Sequence, residues 1–159
     1  MAIPVAKMFP FPAQVNERAA RLVAGAVVLL LAAAFLSQQR FIVALLAAGF
    51  LLRLAWGPRI SPLARAAVFV SGRLWPARPV AGAPKRFAQG IGALCTLAAC
   101  ALFASGHAGA AWMLCGLVAL FALLEASIAF CMGCWIYARL QARGWMPADA
   151  CVDCAPPRS

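Results

Sequence analysis

Acidic residues are almost missing from this chain: four Asp and Glu stand against 14 Lys and Arg in 159 residues, for a net charge of +10. There is one histidine and one tyrosine. No carboxylate pair, Ser-His-Asp set or phosphate-cradling glycine loop can be assembled from so thin a supply, which speaks against conventional hydrolysis and phosphoryl transfer. Charged residues of either sign make up only 11% of the chain and hydrophobic ones 65%, which excludes an ordinary soluble domain.

What the sequence has in abundance is apolar helix. Runs at about 19–37, 40–56, 87–105 and 110–138 approach or exceed the ~20 residues that cross a bilayer's hydrocarbon core. The expected fold class is an all-α membrane protein with four transmembrane helices arranged as two hairpins. The first run follows Lys7, Arg18 and Arg21 as a signal peptide would, but its proline-broken lead-in "FPFPAQVNERAAR" and the second run close behind it mark a retained helix. Residues 1–18 then form an arm, 19–140 the membrane domain and 141–159 a flexible tail. Between the hairpins, "SPLARAAVFVSGRLWP" offers Ser61 as an N-cap and Pro62 at the first helical position. Leu63, Ala67, Val70 and Leu74 share a face there, with Arg65 and Arg73 left for the headgroups, so an amphipathic interfacial helix is expected over about 61–75.

Basic residues set the orientation. They crowd the N-terminal arm, the middle connection (Arg59, Arg65, Arg73, Arg78, Lys85, Arg86) and the tail (Arg139, Arg143, Arg158), while the other two connections hold only Arg40. The positive-inside rule places both termini and the middle connection in the cytoplasm. Anionic lipid headgroups explain the net charge, and no nucleic-acid partner is implied.

The chemistry-bearing stretch is "FCMGCW" at 130–135. With the last run continuing as one helix to 138, Cys131 and Cys134 lie near its cytoplasmic end and share a stripe with Ser127, whose edge Gly133 leaves open. A reducing compartment favours a reduced dithiol, a transient redox couple or a metal site over a permanent disulfide. Lys85, Arg86 and Arg139 on the same membrane face would favour a thiolate, and a helix C-terminus would oppose it. The tail adds "CVDC", Cys151 and Cys154, so that two C-x2-C pairs stand sixteen residues apart, a spacing suited to four-cysteine zinc or to softer Cu(I) and Hg(II). Cys95, Cys100 and Cys115 read as packing residues, His107 as a turn residue, and Glu125 as the partner of Arg53 within the bundle. "RLVAG" at 21–25 and "RFAQG" at 86–90 echo each other, as parallel repeats would.

"RFAQG" and "LLEASIAFCMGCWIY" at 123–137, with "VNERAARLVAG" at 15–25 more loosely, resemble the bacterial membrane family catalogued as domain of unknown function 4395, whose fourth helix ends in a Phe-Cys-x-Gly-Cys-like motif. The resemblance implies a bacterial inner-membrane protein and carries over Arg86, Gln89, Gly90, Glu125, Cys131, Gly133 and Cys134, without an activity. Asn16, Arg18, Arg21 and Gly25 also resemble small membrane segments found with rhodanese-type sulfurtransferases. That likeness implies a thiol that accepts sulfane sulfur as a persulfide from a rhodanese-like protein, or exchanges disulfides with a thioredoxin-like one. Three expectations follow: thiol-redox or sulfur handling at Cys131 and Cys134, soft-metal binding or transport through both cysteine pairs, or a structural membrane interaction module. Close packing of the Gly/Ala-rich helices permits a homo-oligomer.

Overall fold

The computed structural model describes residues 12–145, so the Cys151/Cys154 pair and most of the N-terminal arm lie outside the described residues. Asn16 ends a short strand, β1 (Gln14–Asn16), and caps α1 (Glu17–Ser37) by accepting the Arg18 N–H on its side-chain oxygen at 3.1 Å. A tight turn leads into α2 (Arg40–Trp56), a 3-10 turn (Gly57–Arg59) and α3 (Pro62–Leu74). The chain then repeats that order: β2 (Pro79–Ala81), α4 (Gly82–Ala104), α5 (Ala108–Ile128) and α6 (Met132–Ala142). Helices α1, α2, α4 and the α5 segment are long and apolar enough to cross a membrane, which makes this a multi-pass membrane protein.

The repetition extends to contacts. β1 and β2 pair antiparallel about Val15 and Val80, and each strand leads directly into the first spanning helix of its unit. Helix α1 packs against α5 and α4 against α2, so each unit's leading helix lies along the other unit's second span. Arg21 and Arg86, the arginines of the two echoing segments, reach backbone carbonyls near the ends of α5 and α2 respectively. The short helices match as well, α3 packing on α1 and α6 on α4.

Small buried residues let the spans approach. Ala34, Ala99 and Ala111 are fully covered, and a Cβ on Gly92 would strike the Phe50 ring. Outward positions are apolar instead of polar: Leu29, Leu94 and Met113 are at least 70% exposed, as contact with a bilayer requires. At the end of the bundle away from the strands, Trp112 meets Phe35 and Phe103 edge to face at 5.3 and 4.9 Å.

One boundary and one buried face depart from expectation here. The third span begins at Gly82 because β2 runs straight into it, with the Gly82 N–H bonded to Ala13 O at 2.7 Å. Helix α3 forms where expected, but its buried row is Ala64, Ala67 and Ser71, while Val70 and Leu74 are exposed. The reason is the approach to α1: small side chains fit there, and Asn16 Nδ2 donates to Ser71 Oγ at 3.3 Å.

Candidate functional site

The decisive local event is a break at the end of α5. Ala129 adopts a left-handed backbone with φ 60, its N–H bonding Glu125 O at 3.1 Å and the Phe130 N–H reaching Leu124 O at 3.3 Å. Helix ends leave carbonyls without partners, and here Arg21 supplies them: its guanidinium donates twice to Ala126 O, at 3.1 and 2.9 Å, and once to Ser127 O at 2.8 Å. A new helix, α6, then starts at Met132. The expectation of one continuous helix over 110–138 is therefore wrong. That run exceeds the length a bilayer needs, and Arg21 together with the docking of α6 on α4 redirects the surplus.

This break reverses the electrostatics expected of the cysteines. Cys131 is the N-cap of α6, and its Sγ accepts the Cys134 N–H at 3.3 Å. Both cysteines thus belong to the positive end of a helix, which favours a thiolate, instead of the negative end of α5. The two sulfurs are bonded to each other, with Cα atoms 5.2 Å apart, within the usual range for a disulfide. Both residues remain half-buried. The expected stripe with Ser127 is gone, because Ser127 is exposed on α5 and bonds Leu123 O at 2.6 Å.

Gly133 was expected to leave an open edge; it is buried against α4 instead. A Cβ placed there would come to 2.5 Å from Ala88 Cβ and 2.6 Å from its Cα, so α6 sits backbone-close on α4. Tyr137, one helical turn on, packs edge to face on Phe87 at 5.7 Å. Gly133→Ala is expected to destabilise the chain by ~1–3 kcal/mol, the usual cost of overpacking, and Ala88→Gly in the same chain should restore only part of it, because the Ala88 Cα stays in the way. Unfolding of the four proteins in detergent checks this. No loss in Gly133→Ala would mean the contact is not tight.

Glu125 does not pair with Arg53. Its carboxylate holds the Lys85 ammonium, while Arg53 Nε donates to Gln89 Oε1 at 2.8 Å. Lys85 and Gln89 lie one turn apart on α4, which packs against both α2 and α5, so α4 intercepts the two charges that sequence reasoning had joined.

A cavity of about 110 Å³ lies between α1, α4, α5 and α6. Cys131, Gly133, Gln89, Glu125 and Cys95 contribute to its wall, and the rest of the lining is almost wholly apolar. Four of the expected residues (Gln89, Glu125, Cys131 and Gly133) therefore meet, and Cys134 joins them through its bond to Cys131. Arg86 and Gly90 do not. They face α2 at Leu54, Arg86 through a 3.0 Å bond to its carbonyl oxygen. Cys95, read as a packing residue, lies on the cavity wall, and nothing in its apolar surroundings in the sequence signals that. Among the described residues no group of three or more His, Cys, Asp or Glu could hold a metal ion, and the tail half of the four-cysteine expectation lies outside them.

Fold and site together define a multi-pass membrane protein that carries a Cys-x-x-Cys pair on the first turn of a short helix behind its fourth span. The chain belongs to the family described as Domain of unknown function (DUF4395), whose model matches residues 15–142. None of the curated proteins and none of the solved structures matches it.

Proposed function

We propose that the chain is a thiol–disulfide exchange protein of the bacterial inner membrane, with Cys131 as nucleophile and Cys134 as resolving thiol. The observation that carries this reading is the position of Cys131 as N-cap of α6, its sulfur accepting the Cys134 N–H. The fold alone does not ask for cysteine there. In the first unit Ser61 is the N-cap of the equivalent helix α3.

In the forward direction the Cys131 thiolate attacks a disulfide of a soluble thioredoxin-like partner. A Cys131–partner bond forms, the partner's own S–S bond breaks, and one partner thiolate leaves. Cys134, as thiolate, then attacks the Cys131 sulfur and releases the second partner thiolate, so the chain is oxidised by two electrons and the partner reduced. The exchange is reversible, and a persulfide carried by a rhodanese-like protein enters by the same attack, with its outer sulfur passing to Cys131. The neighbouring cavity offers apolar room for that sulfur away from water.

The basic residues support a cytoplasmic location for both termini and for the strand-bearing end of the bundle. Helices α3 and α6 then lie in the interface, with the exposed Phe69, Leu74 and Trp135 facing lipid, and the spans read as two hairpins, α1–α2 and α4–α5.

The test is a redox titration of the purified chain in detergent with glutathione, following free thiols and metal content together. One dithiol that oxidises reversibly and disappears in Cys131→Ser/Cys134→Ser is expected. About one soft metal per chain, bound through these cysteines, would sink the reading.

A further inference from the structure

We propose that Arg53 is the anchor of a binding site for a small oxyanion of the phosphate or sulfate type, at the strand-bearing end of the bundle. The proposal stands apart from the thiol reading and does not depend on it.

Arg53 is only 4% exposed, yet its Nη2 has no hydrogen-bond partner. Its Nε is held by Gln89, and its guanidinium lies over the Phe50 ring at 4.6 Å from the ring centre. Neither neighbour carries negative charge. The two carboxylates among the described residues are engaged elsewhere, Glu17 with Arg78 at 3.0 Å and Glu125 with Lys85. A buried guanidinium without a counter-charge is costly in any interior and more so in a membrane protein.

The space to supply that charge exists. Arg53, Lys85, Gln89 and Asn16 contribute to the wall of a second cavity of about 60 Å³, well above the roughly 10–15 Å³ that one water needs. Gly57 and Pro58, at the turn after α2, form part of the wall where the chain leaves the membrane span. Arg53, which carries one unpaired guanidinium nitrogen, and Lys85, whose single carboxylate partner lies on α5, thus line the same small cavity. A guanidinium suits the oxygens of phosphate- or sulfate-type groups, which arrive either as free ions or as lipid headgroups.

The test uses the full chain in a non-ionic glycoside detergent, which carries no phosphate or sulfonate of its own, stripped of bound lipid. Inorganic phosphate and sulfate are titrated at constant ionic strength with chloride as the control, and the unfolding temperature is read. A second arm titrates phosphatidylglycerol against phosphatidylcholine in the same micelles. A saturable rise with a free oxyanion, or with phosphatidylglycerol alone, supports the site and tells which source fills it. The apparent affinity should fall about ten-fold or more in Arg53→Met, as loss of one charge-assisted bond implies. Arg53→Met without ligand should be at least as stable as wild type, because it removes an uncompensated charge. Cys131→Ser/Cys134→Ser should bind like wild type. No rise beyond chloride in either arm of the wild-type titration, which needs no variant to fold, would overturn the proposal, as would an unchanged response in Arg53→Met.

Discussion

Cys131→Ser protein is expected to show no thiol exchange above the level of the double variant, whereas Cys134→Ser should stop halfway, accumulating a mixed disulfide with its partner. The asymmetry follows from the start of α6. Only the N-cap sulfur accepts a backbone N–H from the first turn, and a thiolate there is favoured both by that bond and by the helix dipole. Cys134, within the helix, lacks that position and is suited to resolve the intermediate. Mass spectrometry after mixing each reduced variant with an oxidised thioredoxin-like protein reads the outcome. Trapping by Cys131→Ser in place of Cys134→Ser would reverse the assigned order. Exchange unaffected in both would end the thiol reading and leave Cys131 as a cap and nothing more.

Spans were legible because hydropathy and length are local properties: α2 starts and ends where the apolar run does, and α1 and α4 differ from expectation only at the ends. The membrane family was legible too, through the motif residues between 86 and 137, and its model covers residues 15–142. The break before α6 was not. Helix starts announce themselves by Ser, Thr, Asp or Asn, and stops by glycine or proline, whereas this stop uses Ala129 and this start uses Cys131. The excess length of the last run was the one available sign. The partner of Glu125 was hidden for a different reason: the sequence shows which charges lie at a given depth, and only the packing of α4 between their helices decides which of them meet. Arg21 stood in a recognised pattern, but its role as the cap of α5 depends on the cross-unit packing of α1.

Glu125→Gln and Lys85→Met are each expected to destabilise the chain by ~3–5 kcal/mol, the loss seen when one member of a buried ion pair is removed. The Lys85 and Glu125 side chains are 11% and 16% exposed, so solvent screening rescues little. Of the two, Glu125→Gln should be the worse. It leaves the Lys85 ammonium unpaired on the wall of the cavity that already contains the uncompensated Arg53, so two like charges then share one low-dielectric space. Lys85→Met instead strands a carboxylate beside a cavity where water can reach it, which limits the damage. Replacing both, Glu125→Leu with Lys85→Met, removes the desolvation penalty along with the attraction, and should restore stability to near the wild-type level. A denaturation series in detergent on these four proteins and on Glu125→Leu, which closes the double-mutant cycle, gives the coupling directly. Additive losses in the double variant would show that the carboxylate and the ammonium act separately. The expected cancellation would instead mark the pair as the electrostatic link between α4 and α5, directly behind the loop that presents Cys131.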